Sequence, residues 1–299
     1  MRAVVLDGPG PAEALVIRER AIPVPRPGQV LIRVRAFGLN RSELHTRLGL
    51  AEGVTFPRVP GIEAVGEVAD SPGGEFRAGQ KVVTLMGGMG RVFDGGYAEY
   101  TCVPARQVIP FESELPWSVI GAIPEMLQTA HGSLTIGLDI QPGQSLLIRG
   151  GTSSVGMAAA ILAKRRGLTV LASTRDEAKR EALASIGVDH VLIDDGDLAV
   201  VARRIVPGGV DAALELVGTP TLRDTLRHPS PRRRLLHRHA LKPVDGYRFL
   251  SHRLHSAGCP AHLLHGRSRR PSWQRAPGIP AGSQRRHRNC SHRQGLYPR

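Results

Sequence analysis

The feature that most constrains the fold is a regular alternation of strand-like and helix-like segments over residues 117–217. Short apolar runs, typical of buried strands, are separated by longer amphipathic runs, typical of helices. Parallel strands require crossover connections of helix length, so the alternation predicts a parallel sheet built from βαβ units. The predicted strands are 145–149, 168–173, 190–193 and 210–217, and the predicted helices are 117–134, 155–166, 177–186 and 198–206.

A glycine-rich loop joins the first of these strands to its helix. It fits the pattern G-x-G-x-x-G, except that a serine occupies the middle glycine position. Phosphates bind exposed backbone N–H groups at a helix N-terminus where no side chain intervenes. The strand before the loop and the helix after it favour dinucleotide binding over a plain structural turn. The residues expected to bind the cofactor here are Gly150, Gly151, Thr152, Ser153, Ser154, Val155 and Gly156.

The end of the second strand indicates which nicotinamide cofactor is bound. An Asp or Glu there would hold the ribose 2′-OH of NAD. This chain instead has Ser173, Thr174 and Arg175, and Lys179 follows one turn into the next helix. Two hydroxyls and two cations suit a 2′-phosphate, so we expect NADPH. The alternative is that the two cations belong to a solvated helix start, partly neutralised by the acids between them.

Residues 1–120 have the pattern of a small β-barrel. Alternating or apolar runs are separated by short turns rich in Gly and Pro. The predicted strands are 30–36, 64–68, 81–85 and 97–103.

A small β domain followed by this nucleotide-binding pattern resembles the medium-chain dehydrogenase/reductase superfamily. Segments 36–43, 59–66 and 95–100 carry the match together with the glycine loop. The resemblance spans residues 1 to about 227. It implies an α/β protein with a GroES-like β-barrel catalytic domain over 1–118 and a truncated Rossmann domain, a doubly wound parallel sheet that binds NADPH, over 119–227.

The residues at the zinc positions of this superfamily predict that no metal is bound. The catalytic-zinc positions of its alcohol dehydrogenases correspond here to Asn40, Ile62 and Glu125. A catalytic zinc site needs three protein ligands, and Ile62 cannot ligate. Residues 86–90 lack the cysteines of the structural zinc lobe. The chain therefore resembles the zinc-independent quinone oxidoreductase (zeta-crystallin-like) branch.

This resemblance implies a reaction and the residues that perform it. Without a Lewis acid to form an alkoxide, we expect hydride transfer from NADPH to a quinone or an α,β-unsaturated carbonyl. Asn40 would donate an amide hydrogen bond to the developing oxyanion, Glu43 would orient it or relay a proton, and Arg47 would stabilise the oxygen. Thr129 resembles the family's contact to the nicotinamide amide. The alternatives are a turn residue for Asn40 and a surface ion pair between Glu43 and Arg47.

The chain's net charge of +14 arises from its last quarter. Residues 228–299 hold 16 of the 40 Lys and Arg but a single acid, Asp245, so the first 227 residues are almost neutral. This tail has few aromatic residues for base stacking and no recognition motif, so nucleic-acid binding is not expected. We expect it to be irregular or disordered. A genuine basic extension and a tail that binds nucleic acid or acidic surfaces remain alternatives.

The genetic code is compatible with a frameshift near residue 227, which is our hypothesis for the origin of the tail. A family member should have a buried strand here, reading roughly Pro-Gly-Gly-Val-Val-Cys-Phe-Thr-Gly-Met. Codons for residues 231–240, read one nucleotide forward, can encode Pro-Gly-Gly-Val-Cys-Phe-Thr-Gly-Met. The sheet is then expected to end after about four strands with an exposed apolar edge, which favours aggregation and gives an unstable, inactive product.

Further expectations concern location and partners. There is no apolar run long enough to span a membrane and no signal peptide, so we expect a cytoplasmic protein. The family commonly forms homodimers, but the dimer edge belongs to later strands of the sheet, so a homodimer is doubtful here. Besides the reductase, two other functions remain open: a non-catalytic NADPH-binding protein, and a basic interaction protein acting through its tail.

Overall fold

The computed structural model describes residues 1–227 and 229–237. The first domain contains a five-stranded antiparallel sheet in the order β6-β3-β4-β5-β7 and a separate hairpin of β1 and β2. The elements are β1 (Arg2–Leu6), β2 (Leu15–Glu19), β3 (Gln29–Ala36), α1 (Arg41–Arg47), β4 (Glu63–Asp70), β5 (Lys81–Leu85), β6 (Tyr100–Pro104) and β7 (Val108–Pro110).

The core of this sheet follows from the alternation of its strands. Every second residue of β3 and of β5 points to the same side of the pleat. Val30 and Ile32 of β3 are fully buried there, with Val82 of β5 and Val103 of β6 packed in the same cluster. The predicted small β domain is confirmed, and this five-stranded antiparallel sheet forms most of it.

The second domain is a parallel sheet with helices on both faces, in the strand order β10-β9-β8-β11-β12. Its first strand, β8, is buried along its whole length, as expected for a central strand covered on both sides. The elements are α2 (Trp117–Ile120), α3 (Pro124–Gly132), β8 (Ser145–Arg149), α4 (Ser154–Arg165), β9 (Thr169–Thr174), α5 (Arg180–Ala184), β10 (His190–Ile193), α6 (Leu198–Ile205), β11 (Val210–Glu215), α7 (Thr219–Thr225) and β12 (Pro229–His237).

Each face of the parallel sheet has its own apolar cluster. Leu146 and Ile148 of β8 face α3 and α4, whereas Leu147 of the same strand faces α6 and α7. This alternation gives the two-sided burial that a doubly wound sheet requires. None of the described helices is long and apolar enough to cross a membrane.

Two predicted helices are shorter than expected. The helix predicted over 117–134 is interrupted between α2 and α3, because Gly121 lies against β3 and Pro124 starts a new helix. A Cβ on Gly121 would lie 2.6 Å from the Cβ of Ala36. The helix predicted over 177–186 begins as a 3₁₀ turn at Glu177–Lys179, and its α-helical part is α5 alone.

The prediction that the parallel sheet ends after four strands with an exposed apolar edge is wrong. β12 pairs in parallel with β11, so residues 229–237 of the predicted irregular tail form a fifth strand. Backbone N–H and C=O groups hold strands together, so a segment rich in Arg can pair where its side-chain pattern predicts nothing. The other predictions for the tail concern residue 228 and residues 238–299, which lie outside the described residues.

Candidate nucleotide and substrate site

The glycine loop lies between β8 and α4, at the carboxyl end of the parallel sheet. Gly150 has a φ of +82°, a conformation that favours glycine. A Cβ on Gly156 would lie 2.6 Å from the carbonyl oxygen of Gly150, and a Cβ on Gly151 would lie 2.8 Å from the Cβ of Ala172. Glycine at these positions therefore lets α4 start close against the sheet, as a phosphate-binding turn requires.

The loop also leaves backbone donors available. Within the described chain, the N–H groups of Thr152, Ser154 and Val155 donate no hydrogen bond. The Ser153 hydroxyl accepts from the N–H of Gly156 at 3.1 Å and donates to a loop carbonyl oxygen at 2.8 Å. Ser153 therefore caps α4 instead of obstructing the turn, and three N–H groups remain to bind a phosphate.

The residues expected around a 2′-phosphate lie at the end of β9 and just beyond it. Ser173 is buried, and its hydroxyl accepts from the N–H of Gly150 at 3.2 Å. The Thr174 hydroxyl accepts from the N–H of Asp176 at 3.2 Å. Both hydroxyls thus hold the end of the strand in place. Arg175 and Lys179 are exposed beside them.

The acids next to these cations have other partners. Asp176 accepts from the N–H of Ala178 at 3.0 Å, and Glu177 forms an ion pair with Arg180. Neither Arg175 nor Lys179 forms an ion pair with another residue of the described chain. Asp176 and Glu177 therefore form no ion pair with either cation, and Arg175 and Lys179 are both exposed to solvent.

Asn40 and Glu43 meet at the start of α1. The backbone N–H of Asn40 donates to Glu43 Oε2 at 2.9 Å, and the N–H of Ile62 donates to Glu43 Oε1 at 2.9 Å. Glu43 is buried, and both of its oxygens hold backbone segments in place. Arg47 does not join them: its Nη1 donates to the carbonyl oxygen of Gly10 at 2.7 Å. The alternative of a surface ion pair between Glu43 and Arg47 is thus not observed.

A second buried carboxylate, Glu63, was missed by the sequence reasoning. It begins β4 and is 2% exposed. Asn40 Nδ2 donates to Glu63 Oε1 at 2.7 Å, so the amide expected to act on the substrate is held by this residue. The signal that marks it is an acid within the apolar run of residues 62–65.

Thr129 lies on α3, half-buried. Its hydroxyl donates to Glu125 Oε1 at 2.6 Å, one turn earlier in the same helix. The N–H of Glu125 in turn donates to Glu63 Oε2 at 2.8 Å. The structure therefore brings Asn40, Glu43 and Thr129 into one hydrogen-bonded network through Glu63 and Glu125.

Two carboxyl groups of this network, those of Glu43 and Glu63, have raised pKa values. Burial raises the pKa of Glu43, partly offset by the hydrogen bond from Ile62, and the charge of Glu63 raises it further. Burial also raises the pKa of Glu63, against the hydrogen bond from Asn40. Both carboxyls therefore hold a proton more tightly than an exposed glutamate does.

A buried arginine, also missed by the sequence reasoning, supports the nucleotide side of the site. Arg149 ends β8 immediately before the glycine loop and is 0% exposed. Its Nε and Nη2 donate to the two oxygens of Asp194 at 2.7 Å each, and its Nη1 donates to Asp224 at 2.7 Å and to the Thr225 hydroxyl at 3.0 Å. Arg149 thereby ties the loops after β8 and β10 to α7.

The three positions that correspond to zinc ligands lie close together in the structure. Asn40 and Glu125 both hydrogen-bond to Glu63, and Ile62 immediately precedes it, so the three positions lie around one point. Among residues 1–227, no group of three His, Cys, Asp or Glu side chains is arranged to hold a metal ion. Zinc independence stays a prediction based on the Ile62 side chain.

Two family models match the chain. The alcohol dehydrogenase GroES-like domain matches residues 26–113, and the zinc-binding dehydrogenase domain matches residues 154–236, which extends into β12.

Individual proteins and a solved structure are also similar to this chain. The chain is 29% identical over 220 residues to a probable quinone oxidoreductase of Schizosaccharomyces pombe, covering 73% of this chain and 65% of that protein. It is also 29% identical over 232 residues to the quinone oxidoreductase of Homo sapiens, covering 74% and 68%. The crystal structure of AibC superposes with a TM-score of 0.74 at 30% identity, over 79% of this chain and 74% of that one. The chain thus spans about two thirds of the length of these curated relatives.

Proposed function

Since the chain belongs to the medium-chain dehydrogenase/reductase superfamily, in its quinone oxidoreductase branch, we propose that it is an oxidoreductase that uses NADPH to reduce a quinone or an α,β-unsaturated carbonyl. The division into a catalytic domain over 1–118 and a nucleotide-binding domain over 119–227 is part of this proposal.

The single observation that carries the choice of NADPH is the pair of unpaired cations beyond β9. A 2′-phosphate is a dianion near neutral pH, and charge-assisted hydrogen bonds from Arg175 and Lys179 would neutralise it. The N–H groups of Thr152, Ser154 and Val155 would hold the pyrophosphate at the start of α4. The glycine cradle leaves the room that a close approach of phosphate to backbone requires.

The chemistry then needs little from the protein besides position and hydrogen bonds. NADPH, when bound, supplies the hydride, and the reduced substrate takes up a proton. Asn40 Nδ2 carries two N–H bonds, of which one is held by Glu63, so the second would donate to the substrate oxygen. Thr129 would contact the nicotinamide amide from α3. Glu43 would fix the backbone that carries Asn40. The role predicted for Arg47, stabilising the substrate oxygen, stays a prediction.

The test is a binding titration followed by a turnover assay on the purified chain. NADPH fluorescence should report saturable binding that is stronger than NADH binding. Absorbance loss of NADPH should then depend on added quinone or enone and should persist in the presence of a zinc chelator. Binding of NADPH without any oxidation across a quinone panel would instead support a non-catalytic NADPH-binding protein, and no binding at all would refute the proposal.

The same assay tests the prediction of an unstable, inactive product. The chain spans about two thirds of the length of the curated relatives it matches. An exposed apolar edge is no longer a reason to expect aggregation, because β12 covers the edge of β11.

A further inference from the structure

Glu63 occupies the junction between the two sides of the site. Its Oε1 accepts from the Asn40 amide, on the side expected to meet the substrate, at 2.7 Å. Its Oε2 accepts from the N–H of Glu125, in the first turn of the helix that carries Thr129, at 2.8 Å. Glu63 is 2% exposed, and its two oxygens each accept a hydrogen bond from one of these two elements.

The surrounding backbone is shaped to admit this carboxylate. A Cβ on Gly38 would lie 2.1 Å from Glu63 Oε1, so the carboxylate fills the room that only glycine leaves. Gly38 is not in a left-handed conformation, and steric room is therefore the only reason for glycine here. A residue that merely filled space would not need an ionisable group at this point, because burying a carboxylate costs free energy unless its hydrogen bonds repay it.

Helix α3 depends on the same carboxylate. Its N-cap position is Ile123, whose side chain cannot accept a hydrogen bond, and its first residue is Pro124. The N–H of Glu125 at the next position is instead satisfied by Glu63, from a strand 62 residues earlier in the chain. A negative charge at a helix N-terminus is also favoured by the helix dipole.

We propose that Glu63 is the positioning residue of this site, which fixes the Asn40 amide relative to the Thr129-bearing helix α3 and so sets the distance between substrate and nicotinamide. The inference rests on the proposed function in that it assigns the substrate to Asn40 and the nicotinamide to Thr129. Hydride transfer is sensitive to this distance, since a misplacement of 1 Å costs about 100-fold in rate.

The experiment compares two perturbations of Glu63 with a matched control. Glu63→Gln keeps the shape but replaces one acceptor oxygen with a donor that opposes Asn40 or the N–H of Glu125. Gly38→Ala keeps the charge but displaces the carboxylate. Glu67→Gln, on the same strand β4, removes a more exposed carboxylate that pairs with Arg35 and serves as the control.

Two measurements decide the outcome. We expect Glu63→Gln and Gly38→Ala to lower kcat by about 10- to 100-fold while KM for NADPH stays within about threefold, since the phosphate-binding loop is untouched. The fluorescence enhancement of bound NADPH, which reports the surroundings of the nicotinamide, should fall in both variants at saturating protein. Adding Asn40→Ala to Glu63→Gln should lower kcat little further than either change alone, because both act through one amide.

The proposal is overturned if both variants match Glu67→Gln in kcat and in bound NADPH fluorescence. It is equally overturned if kcat and NADPH binding fall together in proportion to the folded fraction measured by circular dichroism, because a purely structural role predicts that result. If no variant, including the unaltered chain, oxidises NADPH, the proposed function fails, and the fluorescence comparison still decides the role of Glu63.

Discussion

Replacing Arg149 with Met should cost this protein a large share of its stability. The guanidinium is fully buried and donates to Asp194, Asp224 and Thr225. Although burial disfavours its charge, the hydrogen bond and charge of Asp194 and the charge of Asp224 raise the pKa of Arg149 above its ordinary value. The side chain is therefore charged under all ordinary conditions. Its removal takes the guanidinium away from Asp194 and Asp224, although Arg227 still lies 3.7 Å from Asp224.

The magnitude follows from comparable buried pairs. Removing one partner of a buried ion pair costs about 3–5 kcal/mol, against a total folding free energy of about 5–15 kcal/mol. At an m-value of about 3 kcal/mol per M, the urea midpoint should fall by more than about 1 M. Equilibrium unfolding followed by tryptophan fluorescence and by circular dichroism measures this shift.

A control variant and a compensating variant test why Arg149→Met is expected to destabilise the protein. Arg180→Met removes an exposed ion pair with Glu177 and should leave the midpoint unchanged. Arg149→Met combined with Asp194→Asn and Asp224→Asn should recover part of the loss, because two of the three carboxylates that Arg149 compensates are then neutral. A midpoint for Arg149→Met within about 0.3 M of the unaltered chain, or no recovery in the triple variant, would show that the network contributes little.

Three other predictions concern the cofactor, the buried acids and the reading frame. Arg175→Ala should raise the Kd for NADPH by about tenfold with little change for NADH, whereas Arg180→Ala should leave both unchanged in a fluorescence titration. Glu43 has a raised pKa when folded, so the stability it contributes is fully present below the ordinary value of 4.5 and is lost as pH rises through the folded value. Between pH 4.5 and 8, the urea midpoint should therefore fall less steeply with rising pH for Glu43→Gln than for the unaltered chain. Parallel curves for the two proteins would contradict this. Resequencing the codons for residues 220–235 should reveal one base gained or lost; an unaltered frame would mean that the basic tail is genuine.

Several strands of both sheets were predictable because their apolar runs are bounded clearly. The strands over 81–85, 145–149 and 190–193 agree with the prediction to the residue. β12 was not predictable in this way, since its charged and Pro-containing sequence lacks the apolar pattern of a buried strand. The break between α2 and α3 was missed because helical spacing alone does not reveal that Gly121 lies against a neighbouring strand.

The candidate site likewise has parts that the sequence predicts and parts that it does not. The glycine loop and the cations beyond β9 follow local rules of spacing, so the sequence indicated them directly. Glu63 and Arg149 are polar residues at the ends of apolar runs, and their partners are 23 to 76 residues away in the chain. Such partners are known only once the fold has brought the segments together. A Glu or Arg within an apolar run was the available sign that a buried network exists.

The Arg149 network has a consequence for how the chain is made. All of its members, from Arg149 to Thr225, precede the basic quarter of the sequence. Synthesis proceeds from the N-terminus, and domains generally fold as their residues become available. The ion pairs that tie β8 to α7 therefore need no residue of the basic quarter. A chain that ends at Arg227 should, once released from the ribosome, already protect the Arg149 region from a protease, whereas a chain that ends before Asp194 should not.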